Sequence, residues 1–215
     1  MRSPLESLIE AVSGTLLDRR ISTSVGGKPM AFTLSSVNAK LDPFASTLGQ
    51  ADHVTLNARD VEYDGLHIAR AQATLHNVHT RVGISPVLVT APVDVTFIGD
   101  WTQVDDLVHR YTGAVTVSSA DARTATIAST HHPLLGMVDV EVAAENGRLR
   151  IRPVELRWRG RRVAISRRLP PLPVPTNLGS NARLREVRVE QDEVHVVVRF
   201  DQWRVDYPRL WSFVR

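Results

Sequence analysis

Cysteine is absent from the 215-residue sequence, which excludes disulfide bonds and thiolate metal sites and leaves the redox compartment open. Long apolar runs are missing as well. The strongest run, Val87 to Ile98, is broken by Pro92 and Asp94 and is too short to span a bilayer. The first residues have neither the basic start nor the uninterrupted apolar core of a signal peptide. We therefore expect the chain as given to be cytoplasmic or peripheral to a membrane, and to lie in the cell envelope if the true start is upstream.

Lysine is scarce, with only two among the 26 Lys and Arg residues, and positive charge is unevenly distributed. Residues 1–147 carry 10 Lys or Arg and 16 Asp or Glu, a net charge of −6. Residues 148–215 carry 16 Lys or Arg and 7 Asp or Glu, a net charge of +9. This asymmetry indicates that the C-terminal third meets something anionic, whether lipid, nucleic acid or the acidic part of the same protein.

Residues 3–20 predict an amphipathic N-terminal helix. Ser3 and Glu6 have the spacing of a capping box, and Arg19 and Arg20 suit the negative end of the helix dipole. Apolar residues recur at helical spacing on one face. They are Leu5, Leu8, Ile9, Val12, Leu16 and Leu17.

Most of the remaining chain reads as β-strand. Two-residue turns at Asp64-Gly65, Asn146-Gly147 and Gln191-Asp192 predict hairpins. Switches in the apolar alternation near Arg59-Asp60 and at Pro153 predict bulges where strands bend.

A second short helix is predicted near residues 100–112, capped by Asp100 and ended by Gly113. These elements together predict a single α+β domain over residues 1–215, in which a long, bent antiparallel sheet wraps around the N-terminal amphipathic helix.

The sequence offers little support for catalysis. There is no G-x-S-x-G elbow, and Gly26-Gly27-Lys28 is followed by Pro29, where a phosphate loop needs Ser or Thr. The histidine pairs His76-x-x-His79 and His131-His132 are better read as surface polar residues than as metal ligands. We therefore expect a protein that is not an enzyme and that has no metal and no cofactor.

The Arg-rich segment 148–168 is the strongest local signal. Arg157, Arg159 and Arg161 share one strand face without local acids, opposite the face of Leu156 and Trp158. This face fits simple solvation or contact with an anion equally well. Base stacking is disfavoured, because a site for nucleic acid usually has aromatic residues on the basic face itself.

The C-terminal residues 200–215 hold five of the twelve aromatic residues of the chain. Trp203 and Tyr207 fit both helical and strand spacing, and neighbouring arginines would suit a membrane interface. Docking of these aromatic side chains onto the core is the commoner arrangement.

Three stretches resemble the LmeA-like phospholipid-binding family: Ala51 to Val78 with its Tyr-Asp-Gly-Leu turn, Val140 to Val163 with its Glu-Asn-Gly-Arg-Leu turn, and Leu169 to Val198. The N-terminal helix occupies the place that the family gives its own. The resemblance implies the tubular lipid-binding, bactericidal/permeability-increasing-like fold, in which a bent sheet wraps a long helix around an apolar groove. It also implies binding of phospholipid in the cell envelope without catalysis.

We therefore predict non-catalytic binding or transfer of phospholipid, preferably anionic, in an apolar groove between the N-terminal helix and the sheet. The acyl groove is assigned to Leu8, Val12, Leu16, Leu56, Val61, Leu156 and Trp158. Contact with headgroups or an anionic membrane surface is assigned to Arg157, Arg159, Arg161, Arg162, Trp203 and Trp211. The alternative is an interaction or scaffold protein whose basic C-terminal third docks an acidic protein or nucleic acid, although nucleic acid is not favoured.

Overall fold

The computed structural model describes residues 9–10, 13–25, 28–40, 50–63, 65–81, 87–165, 170–174 and 181–206. The chain divides into two compact units. Unit 1 consists of Met1–Thr96 and Arg199–Arg215, and unit 2 of Phe97–Val198. The single domain expected over residues 1–215 stays a prediction.

The described residues form fifteen strands, one α-helix of three turns and a short 3-10 turn, and residues 9–10 and 13–16 near the N-terminus are also helical. The strands are β1 (Arg20–Val25), β2 (Lys28–Lys40), β3 (Gln50–Tyr63), β4 (Leu66–Arg81), β5 (Val87–Thr90), β6 (Val93–Asp100), β7 (Val115–Ser119), β8 (Thr124–Ser129), β9 (Met137–Glu145), β10 (Arg148–Trp158), β11 (Arg161–Ala164), β12 (Leu172–Val174), β13 (Ala182–Val189), β14 (Glu193–Phe200) and β15 (Trp203–Asp206). The helix is α1 (Trp101–Thr112), and the 3-10 turn is Pro133–Leu135.

Unit 1 is built on antiparallel strands in the order β1-β2-β3-β4-β6, with β5 paired to β4 and β15 paired to β5. Its core lies on β3, β4 and β6, where apolar side chains of the three strands are buried together. Ala51 opposes Val78 and Val54 opposes Leu75 across the β3–β4 pair, and Val93 of β6 joins them in one buried cluster.

The prediction that a bent sheet wraps around an N-terminal helix is wrong. The structure is mostly antiparallel sheet, with 69% strand and 13% helical residues, and in the described part of the chain no N-terminal helix is wrapped by the sheet. Ile9 packs against the core cluster of unit 1. Asp18 adopts a left-handed backbone (φ 58°) and its N–H donates to the Leu34 carbonyl at 2.8 Å, which leads the chain directly into β1. The predicted cap at Ser3 lies outside the described residues.

The physical reason for this error is that an apolar helix face requires only one apolar layer against it. The face of a sheet supplies such a layer without enclosing the helix. An amphipathic pattern therefore does not distinguish a helix that rests on a sheet from one that a sheet surrounds.

The predicted hairpins of β3–β4 and β9–β10 are confirmed. Tyr63 pairs with Leu66 across the first turn, and Glu145 pairs with Arg148 across the second. The bulge expected near residue 60 coincides with a register shift between β2 and β3 and with a positive φ of 51° at Asp60. A second register shift occurs at Pro153, also as predicted.

Unit 2 contains an antiparallel sheet in the order β11-β10-β9-β8-β7, with β12 paired to β10, and a β13–β14 hairpin. The Glu190 N–H donates to the Glu193 carbonyl at 2.9 Å, which closes the predicted turn at Gln191-Asp192. The predicted second helix is confirmed as α1. The Asp100 carboxylate accepts a hydrogen bond from the Gln103 N–H at 2.8 Å, and Gly113 ends the helix with a left-handed backbone.

The buried apolar side chains described in unit 2 are all aliphatic. They are Ala125, Val140, Leu184, Val189, Val194 and Val198. Within the described ranges, no helix has the length and apolar character that crossing a membrane requires.

Candidate functional site

One end of the unit 2 sheet carries a cleft of about 420 Å³. Two loops form it: the 3-10 turn with the start of β9, and the turn that joins β10 to β11. Its lining residues are Pro133, Leu134, Gly136, Met137, Arg157, Trp158, Arg159, Gly160, Arg161 and Arg162. Four of these ten residues are Arg and none is acidic, so the cleft combines apolar walls with positive charge.

The β10–β11 turn sets the directions of the cationic side chains. Trp158, the last residue of β10, pairs with Arg161, the first residue of β11. Arg159 and Gly160 between them both have positive φ, 47° and 75°. Left-handed backbone at both central positions is the geometry of the tight turn that matches the twist of a hairpin. It places Arg159 and Arg161 on either side of Gly160.

A direct contact fixes the second loop against this hairpin. The Trp158 indole Nε1–H donates to the Leu134 carbonyl at 3.0 Å. Gly136, with a φ of 87°, lies so close to β10 that a Cβ atom there would be 2.3 Å from the Arg157 carbonyl oxygen. Only glycine fits at this approach. The two loops are therefore clamped together by a hydrogen bond and by close backbone packing.

Arg157 has a structural role that the sequence did not reveal. Its Nη2 donates to the Asp139 carboxylate and to the Thr126 hydroxyl, and the Thr126 hydroxyl donates to the same carboxylate at 2.7 Å. Asp139 and Thr126 are both buried. The sequence pattern predicted no local acid for Arg157, but β8 and β9 bring Thr126 and Asp139 beside β10 from distant parts of the sequence.

Arg162 is also partly compensated. Its Nε lies 3.7 Å from a Glu155 carboxylate oxygen, and the Arg162 side chain is largely exposed. Arg157 and Arg162 border a second cavity of about 190 Å³, which is polar and is also lined by Asp121, Asp139 and Glu155. Both guanidinium groups thus face carboxylates on their other side.

Arg159 and Arg161 differ from these two arginines. Within the described residues neither forms an ion pair. The Arg159 guanidinium lies 4.7 Å from the centre of the Trp158 ring, a cation–π contact that orients it without neutralising its charge. Arg161 is exposed at the start of β11. The uncompensated positive charge of the cleft is carried by these two residues.

The predicted acyl-groove residues lie in both units. Leu16 and Val61 are buried in unit 1, at 6% and 0% exposure, and Leu56 packs against the unit 1 core. Leu156 is half-buried on β10, opposite Val163. Among the described members of this set, only Trp158 lines the cleft. Leu8 and Val12 lie outside the described residues.

More of the predicted headgroup residues than of the predicted acyl-groove residues lie together at the cleft. Arg157, Arg159, Arg161 and Arg162 all line the cleft with Trp158. Trp203 lies elsewhere, in unit 1, where it is half-exposed on β15 and pairs with Thr90 of β5. Trp211 lies outside the described residues.

The apolar loop of the site could not be predicted from the sequence pattern. Leu134, Leu135 and Met137 are exposed beside the cleft, yet they form no periodic pattern. The available signal was an apolar Pro-Leu-Leu-Gly-Met run in a turn, a place where polar residues are expected.

The histidine pairs show no sign of a metal centre. His76 Nε2 lies 3.2 Å from an Asp94 carboxylate oxygen, and His79 Nδ1 lies 3.0 Å from the Asn77 carbonyl oxygen. Across the described ranges, no group of three or more potential ligands is arranged to hold a metal ion.

Comparison with known proteins agrees with the resemblance found in the sequence. The family described as LmeA-like phospholipid-binding matches residues 6–199. No curated protein and no solved structure matches the chain. Because the family match covers nearly the whole sequence and includes both loops of the cleft, the chain belongs to the LmeA-like phospholipid-binding family.

Proposed function

We propose that this protein binds anionic phospholipid without catalysing a reaction, and that the unit 2 cleft holds the headgroup. Its family is a phospholipid-binding one. One observation carries the assignment to this cleft: Arg159 and Arg161, which have no ion-pair partner among the described residues, stand beside the apolar side chains of Leu134, Met137 and Trp158. A phospholipid presents the same pairing of an anionic phosphate next to apolar chains.

Guanidinium groups suit this task. Arg is always charged at neutral pH, and its planar array of N–H donors matches phosphate oxygens in bidentate geometry. The stacking of Arg159 on Trp158 restricts the guanidinium before any ligand arrives, which lowers the entropy lost on binding. A volume of about 420 Å³ lies within the usual range for small-ligand sites.

The chemistry of the lining supports binding rather than catalysis. The ten described lining residues are Pro, Leu, Gly, Met, Trp and Arg. None of these side chains is a common nucleophile or a general base at neutral pH, because the Arg side chains stay protonated. A phospholipid held there would meet groups that orient its phosphate but none that attack it.

The alternative, docking of an acidic protein or nucleic acid on the basic third, has less support from the geometry. Several arginines of this third already pair with carboxylates of the chain, as shown by Arg150–Glu145, Arg152–Glu141, Arg157–Asp139 and Arg188–Glu186. The net charge of +9 is therefore not presented as one open basic face.

The first experiment asks whether the purified protein carries or takes up phospholipid. Organic extraction followed by mass spectrometry should recover phospholipid. Calorimetric titration should show tighter binding of short-chain phosphatidylglycerol than of short-chain phosphatidylcholine, with both kept below their micelle concentrations. A lipid-free protein that binds neither compound would contradict the proposal.

The second experiment tests the cleft. Changing both Arg159→Gln and Arg161→Gln should weaken binding of short-chain phosphatidylglycerol by about tenfold or more, since charge-assisted hydrogen bonds contribute about 1.5–3 kcal/mol each. The matched control is Arg183→Gln with Arg188→Gln, which removes the same charge from β13, outside the cleft lining. Equal losses in the two double variants would show that net charge, not the cleft, determines binding.

A further inference from the structure

The loop beside the cleft exposes more apolar surface than solubility favours. The 3-10 turn Pro133–Leu135 leaves Leu134 85% exposed and Leu135 65% exposed. Met137 and Trp158 next to them are also exposed. Isolated apolar side chains are common on protein surfaces, but a contiguous exposed group of this kind marks an interaction surface.

This apolar turn is rigid in construction. The Leu134 carbonyl is held by the Trp158 indole, and Gly136 is pressed against the backbone of Arg157. A surface that is already ordered loses little conformational entropy when it is buried. The leucines are therefore presented by a braced turn.

The charges around the turn indicate which partner fits it. Arg159, Arg161 and Arg162 lie in the same cleft as Leu134, and no carboxylate lines that cleft. Trp and Arg are the side chains that suit the boundary between headgroups and hydrocarbon, because each combines an apolar body with a polar or charged end. The fit is to an anionic lipid surface, where leucines enter the apolar layer and arginines meet phosphates.

We propose that the turn Pro133–Leu135 inserts into the surface of an anionic bilayer, with Leu135 among its inserted side chains, so that the cleft opens toward the headgroup layer. This inference rests on the proposed phospholipid binding and adds the part of the molecule that contacts the membrane. It separates two roles: Leu135, which does not line the cleft, enters the bilayer, whereas the cleft holds a single headgroup.

The test measures flotation of the full chain with vesicles of mixed phosphatidylglycerol and phosphatidylcholine. Leu135→Glu should weaken association by about tenfold or more, because a carboxylate must then enter an apolar, anionic interface. Leu135→Trp should retain or strengthen it. The matched control is Leu172→Glu on β12, at a similarly exposed position (60%). Leu172 pairs with Ile151 of β10, and Ile151 lies about 23 Å along β10 from Trp158. This control should bind vesicles like the unchanged protein.

The absence of cysteine allows a direct second readout. A polarity-sensitive fluorophore on Leu135→Cys should shift to the blue and brighten when these vesicles are added, whereas the same probe on Leu172→Cys should not. An unchanged spectrum at position 135 would overturn the inference.

The outcomes separate this inference from the proposed function. If Leu135→Glu loses vesicle binding but retains short-chain phosphatidylglycerol, both stand. If it retains vesicle binding at full strength, insertion of the turn is refuted and headgroup binding is untouched. If the unchanged protein floats with vesicles but binds no short-chain lipid, the cleft assignment fails. Equal loss of vesicle binding in Leu135→Glu and Leu172→Glu would also refute the turn, since general charge repulsion would then explain both.

Discussion

Gly136→Ala is the most informative single change in unit 2, because it tests whether close packing holds the two loops of the cleft together. Gly136 has φ 87° and ψ −164°, a backbone region that only glycine occupies readily and that costs another residue about 1–3 kcal/mol. The added Cβ would lie 2.3 Å from the Arg157 carbonyl oxygen. The two backbones must therefore separate where Met137 pairs with Arg157.

The expected loss of stability follows from these terms. Backbone strain of about 1–3 kcal/mol and a further 1–3 kcal/mol for overpacking act in the same direction. Alanine also restricts the unfolded chain more than glycine does, which offsets about 0.4–1 kcal/mol of this loss of stability. We therefore expect Gly136→Ala to lower the free energy of unfolding by about 3 kcal/mol.

Gly160→Ala is the matched control. Gly160 also has a positive φ, 75°, but a Cβ atom there would meet nothing within 4 Å. It should cost only about 1 kcal/mol, the usual penalty of the left-handed region for an L-residue. The difference between the two variants isolates the collision with β10.

Urea denaturation followed by circular dichroism measures this difference, and the Trp158 indole N–H signal in NMR reports the bond to Leu134. In Gly136→Ala the indole signal should move toward the position of a solvent-exposed group. Equal unfolding midpoints for the two variants, with an unchanged indole signal, would refute the clamp.

Two further predictions concern charged groups of unit 2. Asp139→Ala removes a buried carboxylate and leaves the half-buried Arg157 guanidinium without its partner, so it should lower the free energy of unfolding by about 3 kcal/mol in urea titrations. Glu155→Gln, whose partner Arg162 is exposed, should change it by less than about 1 kcal/mol; equal effects would contradict the structural role of Asp139. The pKa of Asp121 lies below its usual 3.8. The largest cause is the hydrogen bond that the Arg123 backbone N–H donates to the carboxylate, followed by the hydrogen bond from the Thr124 side chain. Asp121 therefore stabilises the folded protein fully at pH values above 3.8, and this stabilisation is lost as pH falls through the lowered pKa of the folded state. An NMR titration that finds an ordinary pKa for Asp121 would contradict these hydrogen bonds.

Much of the sheet could be predicted because its determinants are local. Asp64-Gly65 and Asn146-Gly147 favour tight turns through their own backbone preferences, and each turn then sets the register of the strands that it joins. The same holds for α1, where Asp100 and Gly113 act within one helical turn of the chain. These turns, strand registers and helix ends can therefore be predicted without knowing any distant residue.

The environment of each arginine could not be read from its neighbours in sequence. Arg157 and Arg159 are two residues apart, yet Arg157 is paired with Asp139 and Arg159 is stacked on Trp158. The difference arises because β9 approaches one side chain and the turn at Gly160 projects the other outward. Strand alternation alone treats the two residues as equivalent.

The N-terminal helix and the cleft show the same division between local and long-range information. The amphipathic pattern predicted helical residues near Ile9 but did not indicate that the sheet fails to surround them. The arginine-rich strand and Trp158 identified one wall of the candidate site. The other wall, Leu134 to Met137, belongs to the site only because Gly136 packs against the backbone of β10. Turn chemistry acts over a few residues and is legible in the sequence, whereas contact between separate segments depends on packing that the completed tertiary structure provides.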